Sequence, residues 1–328
     1  MILAGDIGGT KAYLGIFDEI NNRLEKTCEA RFESRDYSDF DSVLEEFLNG
    51  RLEKPEIACL GVAGPIEGGN CELTNLGWKI ESARLKEYFD KVFLINDLAA
   101  MACAVPFLGE EDVAVLQAGL PCIEGRVAVL AAGTGLGQAF LFPTADQKYY
   151  VVDSEGGHSD FSPRNKLEAE LLVFLEKKFS RVSVERVISG PGLIHIFEFF
   201  KEKYSFNELD GWKEGLRKEE LASEIIRRGQ NRESEACEKT LQLFVELYGA
   251  LAGNLALQFL SNGGVFLGGG IAPRILPLLK EGSFMESFLS KGRFENRMKE
   301  VPVKVILDDK SALHGAAQYA LGQRFIKH

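Results

Sequence analysis

The amino-acid sequence predicts an α/β fold in two related halves, and three observations carry the prediction. Ile2-Leu3-Ala4 is an apolar run that stops at Gly5-Asp6, turns at Gly8-Gly9 and resumes a period-2 pattern at Tyr13, Gly15 and Phe17. The same strand, glycine turn and strand return over residues 127–142, around Gly133-Thr134-Gly135-Leu136-Gly137. Around these hairpins, helical periodicities alternate with short buried strands, the mark of a layered α/β protein.

Glycines at the first turn let backbone approach a ligand closely, so the N–H groups of Gly8, Gly9 and Thr10 can form a small nest for phosphate oxygens. Asp6, at the strand end, is placed to hold a metal ion or a metal-bound water. The plainer reading is a hairpin whose glycines only supply positive φ. Neither a Walker loop nor a GxGxxG dinucleotide fingerprint starts here. Recurrence of the hairpin favours a duplicated fold with a nucleotide between its halves.

Phe40, Val43, Leu44, Phe47 and Leu48 recur at helical spacing and predict an amphipathic helix over residues 39–48. A buried strand over 57–63 ends at Gly64-Pro65, Asn75-Leu76-Gly77-Trp78 makes a turn, and Ser82 opens a short helix within 80–89. Residues 92–95 form a strand that ends at Asn96-Asp97, and an alanine-rich helix over 98–105 runs until Pro106. Ligands of open α/β sheets collect at the carboxyl ends of strands, which makes Asp97 a candidate catalytic residue. A helix cap is an equally adequate role for it.

The second half starts at Val113, with a polar link over 121–126 before the repeat hairpin. After a strand over 149–152 comes Glu155-Gly156-Gly157-His158, two hydrogen-bonding side chains bracketing glycines that let a small ligand approach. Zinc is a competing use, but no third or fourth ligand lies nearby in sequence. Ser162-Pro163 signals a helix start before an apolar-faced helix over 167–179. Glu185 precedes Ser189-Gly190-Pro191-Gly192, which begins a helix at Leu193 in which His195 packs. Residues 212–232 read as a solvated charged helix, and 241–260 as the longest helix. It leads into a buried strand and Gly268-Gly269-Gly270, a platform for a flat ring or a phosphate, or else a plain loop. The last strand spans 303–307, and Ser311 caps a final helix through Leu321.

A chain of 328 residues suits two domains, and its 27% charged and 45% hydrophobic residues are ordinary for a globular protein. The formal charge of −11 argues against nucleic acid or anionic lipid as a general partner. Six scattered cysteines without a CxxC pair fit a reducing cytoplasm, and Asp6 interrupts any signal-peptide core. Residues 247–267 mimic a membrane span, but Asn254, Gln258, Asn262 and Gly263-Gly264 divide them into a buried helix and a strand.

Together, Asp6-Ile7-Gly8-Gly9-Thr10, Asn96-Asp97, residues 133–137, 155–158 and 189–192, and Gly268-Gly269-Gly270-Ile271 resemble bacterial glucokinases, almost end to end and in the same order. The resemblance implies an actin-like ATPase (ribonuclease H-like) fold: a small domain of residues 1–107 plus 311–328, a large domain of 108–310, and an interdomain cleft. It implies a cytoplasmic glycolytic kinase that transfers the γ-phosphate of ATP, with Mg²⁺, to the 6-hydroxyl of glucose, and it suggests a homodimer. Asp97 is then the general base, with Asn96, Glu155, His158 and Glu185 as the other sugar ligands. Gly5, Asp6, Ile7, Gly8, Gly9 and Thr10, with Gly133, Thr134 and Gly135, hold the ATP phosphates, and Gly268, Gly269 and Gly270 lie near the adenosine. The sequence lacks the CxCGxxGCxE motif of zinc-containing ROK kinases and the winged helix of ROK repressors, so neither zinc nor DNA is expected. A kinase for another hexose or an N-acylhexosamine, and a sugar-binding regulator without turnover, stay as alternatives.

Overall fold

The computed structural model of the protein describes residues 1–21, 23–50, 54–73, 76–120, 122, 124–145, 148–204, 206, 210–213 and 215–323. Their contacts divide the chain into two compact units. One comprises Met1–Gly109, Val151–Asp153 and Asp308–His328, the other Glu110–Tyr150 and Ser154–Leu307.

The first unit opens on an antiparallel meander of β1 (Ile2–Ile7), β2 (Lys11–Ile20) and β3 (Arg23–Glu33). Helix α1 (Phe40–Leu48) follows, its first turn capped by the Asp39 carboxylate, which accepts from the Ser42 N–H at 2.9 Å. Next come β4 (Ile57–Val62), the small antiparallel sheet of β5 (Ile66–Glu67), β6 (Asn70–Leu73) and β7 (Trp78–Glu81), then α2 (Ser82–Leu85), β8 (Lys91–Asn96) and α3 (Asp97–Ala104). The main sheet has the order β3-β2-β1-β4-β8, with β1, β4 and β8 parallel. Period-2 alternation sends Leu3 and Ile7 into one core with Phe40, Val43, Leu44 and Phe47, while Ile2 and Ala4 pack with Tyr13, Phe17 and Ala100 on the other face. Asp6 shares that second face.

The helix expected over 80–89 shrinks to α2, because Ile80 is buried and pairs with Cys71 in β7, and the Ser82 hydroxyl donates to the Gly69 carbonyl instead of capping. Strand β3 had no clear sequence signal, since its charges mask the alternation. Of the predicted turn at 75–78, Asn75 lies outside the described residues; so do Pro121 and Ile123 of the polar link.

In the second unit, β9 (Val113–Gln117), β10 (Val127–Ala132), β11 (Leu136–Pro143) and β12 (Tyr149–Ser154) precede α4 (Lys166–Glu176), α5 (Gly190–Lys203), α6 (Lys218–Gln230) and α7 (Glu235–Phe259). Then follow β13 (Gly264–Gly268), α8 (Leu276–Lys280), α9 (Ser283–Leu289), α10 (Glu295–Met298) and β14 (Val303–Ile306). The sheet order is β12-β11-β10-β13-β14-β9, with β10, β13 and β14 parallel. A central strand that pairs antiparallel with the next strand on one side and parallel on the other recurs from the first sheet. This is the duplication that the two hairpins predict.

Helix α4 starts at Lys166, not at Ser162-Pro163: Asn165 caps it at 3.0 Å, and the buried Glu168 carboxylate engages both the Arg164 N–H and its guanidinium. Helix α7 is long and apolar enough to cross a membrane, but it is the core of this unit, with Phe244, Tyr248 and Leu255 packed among Val265, Leu267 and Phe284. It ends where Leu260 turns left-handed at φ 51°, so the apolar stretch splits into helix and strand as its polar residues predict.

The last helix, α11 (Ser311–Gln323), belongs to the first unit and packs Leu313, Ala316, Ala317 and Ala320 beneath the sheet. At Gly315 a Cβ would run into the Ala100 carbonyl, which sets how closely α11 meets α3. Ser311 does not cap this helix; its hydroxyl is buried without a hydrogen-bond partner among the described residues, and Asp308 holds the turn by accepting from the Lys310 N–H at 2.9 Å.

Candidate functional site

In the first unit the candidate residues meet at the carboxyl ends of parallel strands. Register places Ile7 of β1 beside Val62 of β4, and Val62 beside Asn96 of β8, so Asp6 near the end of β1, Asn96 at the end of β8 and Asp97 at the start of α3 lie along one edge of the sheet. Capping of α3 falls to Asn96, whose Oδ1 accepts from the N–H groups of Leu98 at 2.9 Å and Ala99 at 3.3 Å. Asp97 is the first helical residue, and one of its oxygens accepts from Leu98 N–H at 2.8 Å. The cap is therefore satisfied without it. Gly61 brings α3 close: a Cβ there would lie 2.9 Å from that of Ala100.

Burial, then the charge of Asp97, push the Asp6 carboxyl up to about 7; Lys11 opposes the rise and Asp309 adds to it. An acid whose folded value is raised stabilises the fold while protonated, and that contribution is lost as pH rises towards and through 7. Asp6→Asn should thus raise the Tm by roughly 2–6 °C at pH 8, with a smaller gain at pH 5. Thermal melts of both proteins across pH 5–8 check this; an equal gain at both ends contradicts it.

The first turn corrects part of the expected nest. The Gly8 N–H donates to the Lys11 carbonyl at 3.0 Å, and the Ser34 hydroxyl donates to the Gly8 carbonyl at 3.1 Å. Gly8 is thus spent on closing the hairpin, which leaves Gly9 and Thr10 as the turn's remaining amide donors. Neither Gly8 nor Gly9 has positive φ, so a left-handed backbone does not account for these glycines.

In the second unit three segments converge on the start of β11. The Glu185 carboxylate, on a 3₁₀ turn at Val184–Arg186, accepts from the Leu136 N–H at 2.9 Å. A Cβ on Gly135 would lie 2.7 Å from that same carboxylate. The Gly133 carbonyl accepts from the Gly190 N–H at 2.8 Å, tying the turn to the start of α5, which Ser189 caps. At Gly157 a Cβ would strike the Leu136 carbonyl, and at Gly156 the side chain of buried Gln138. His158 and Glu155 stand exposed, their Nε2 and Oε2 3.7 Å apart. The loop behind them is pinned by the Val184 N–H donating to the Ser159 carbonyl at 2.9 Å.

Gly268 pairs with Ala131, and the Ile271 N–H donates to the Ala132 carbonyl at 3.2 Å, so residues 268–271 flank the second hairpin turn. Gly269 has a φ of 78°, and a Cβ there would collide with that carbonyl, so both its backbone and its surroundings call for glycine; Gly133 and Gly270 have open space where a side chain would be. His195 bonds the Arg186 carbonyl through Nδ1 at 2.8 Å and packs on Phe179, the packing role expected of it. Among the described residues, no three His, Cys, Asp or Glu side chains gather as a metal site. Sequence reasoning passed over Gln138, buried against Gly156, and Asp309, whose charge adds to the rise at Asp6.

A family model described as Glucokinase matches residues 3–323. The curated glucokinase of Nostoc punctiforme is similar at 39% identity over 334 residues, covering 97% of this chain and 98% of the relative. A glucokinase crystal structure from an Antarctic psychrotroph superposes with a TM-score of 0.85 at 36% identity, covering 98% of each chain. A ROK-family glucokinase from Streptomyces griseus shares the fold, with a TM-score of 0.62 at 17% identity over 98% of this chain and 99% of that one.

Proposed function

The chain belongs to the glucokinase family and is an ATP-dependent sugar kinase; we propose that Asp97 is its general base, serving the 6-hydroxyl of glucose. Asp97 and Asn96, with Glu155, His158 and Glu185, are assigned to the sugar. The turns at residues 5–10 and 133–135 are assigned to the phosphates and residues 268–270 to the adenosine. We keep the two-domain division at residues 107/108 and 310/311, a cytoplasmic place at the entry to glycolysis, and a homodimer as parts of the same reading.

Phosphoryl transfer asks for an aligned acceptor oxygen and neutralised oxyanions more than for covalent help. Hydroxyl-directed bonds from Glu155, His158 and Glu185 fix the hexose ring, and Asp97 takes the proton as the new bond to phosphorus forms. Mg²⁺ bound with ATP would offset phosphate charge; Asp6, whose carboxylate accepts no hydrogen bond among the described residues, would hold a water on that ion.

The observation that carries the assignment is that Asn96 caps α3 and Asp97 follows it as the first helical residue, a carboxylate at the carboxyl end of β8 on the sheet edge where Asp6 also sits. Glycines 133 and 270 add support: neither strain nor crowding accounts for them, and close approach by a nucleotide does. Coupled ADP release with Mg-ATP across glucose, mannose, fructose and N-acetylhexosamines is the test. Highest kcat/KM with glucose is expected; preference for another sugar moves the substrate assignment, and no turnover with any sugar overturns the reading.

A further inference from the structure

We propose that Lys11 is a further substrate-contacting residue, its ammonium pairing with the oxygens of the terminal phosphoryl group of ATP beside Asp6. The inference rests on the functional reading above for the identity of the ligand, but its geometry is independent of it. Tyr13 stands directly opposite Asp6 in the β1–β2 register, and Lys11, two residues earlier on β2, shares that face. Lys11 Nζ lies 3.4 Å from the Tyr13 hydroxyl and 4.7 Å from the ring centroid, so the aromatic ring steers the side chain along the hairpin.

What the site lacks, among the described residues, is a carboxylate in salt-bridge contact with Lys11. Lys11 is half-buried, yet among the described residues it forms no salt bridge. Glu33, its partner in the β2–β3 register, is held instead by Arg31 at 2.5 Å. The charge of Lys11 is nevertheless felt by the Asp6 carboxylate. A partly desolvated ammonium with no carboxylate in direct contact is stabilised by an incoming anion. The Lys11 carbonyl also closes the turn through Gly8, so the backbone that carries the cation is fixed by the loop that presents Gly9 and Thr10.

An ammonium there completes what backbone amides begin. Charge on the transferring phosphoryl oxygens is spread over the loose transition state, and a preorganised cation offsets it at no reorganisation cost. Lys11 acts by charge alone and exchanges no proton.

Lys11→Met and Lys11→Arg test the proposal, with coupled ADP release for turnover and calorimetry with ADP and a non-hydrolysable ATP analogue for binding. Expected for Lys11→Met are a kcat/KM for ATP lowered about 10²-fold and a glucose KM within about twofold. The analogue should bind about tenfold more weakly and ADP nearly unchanged, with Lys11→Arg recovering most of the loss. A Lys11→Met enzyme within about threefold of wild type, or equal losses for ADP and the analogue, overturns it. Absence of turnover in the wild-type protein sinks the functional reading alone, because the comparison of the two nucleotides still decides the role of Lys11.

Discussion

Asp97→Asn lowers kcat by about two to four orders of magnitude and leaves the glucose KM within about threefold, the expected consequence of removing a positioned base. The geometry isolates the effect. An asparagine oxygen can still accept from the Leu98 N–H, and Asn96 retains the cap, so α3 has no reason to fray. The substitution also removes one of the charges that raise Asp6, whose carboxyl then ionises at lower pH. Steady-state kinetics with a melting curve separate the outcomes. Turnover within tenfold of wild type, with normal stability, would refute the base assignment.

Glu185→Ala is expected to raise the KM for ATP as well as for glucose, each about tenfold or more. Its carboxylate holds the Leu136 N–H and meets the Gly135 end of the second turn, so one side chain serves both the assigned sugar site and the assigned phosphate loop. Losing it strands a backbone donor, at a cost of about 1–3 kcal/mol in stability. Glu185→Gln keeps an oxygen for that N–H and should raise only the glucose KM. If the Ala variant keeps the wild-type KM for ATP, the brace has no bearing on the nucleotide; if Gln raises both constants, the acceptor argument fails.

Local patterns reported most of the strand ends. The apolar runs of β1, β8, β10 and β13 each stop at a glycine or carboxylate assigned to the proposed site, because a strand alternates side chains over a few residues and its end is written in those residues. The same reading missed β3, where charges hide the alternation, and extended α2 over residues that pair in β7. It assigned Ser311 a cap that Asp308 makes unnecessary, since a capping signal does not say which of several polar neighbours wins the donor.

By itself the sequence determined the two glycine hairpins, the carboxylate at the end of β8 and the duplicated order of strands, all of which depend on short-range periodicity and turn chemistry. Tertiary structure alone decided that Asn96 takes the cap, that Glu185 reaches the Leu136 amide across 49 residues, and that Asp6, Tyr13 and Lys11 share a face. These are matters of register and packing, and the energy of such a contact depends on what lies beside a group in space rather than along the chain.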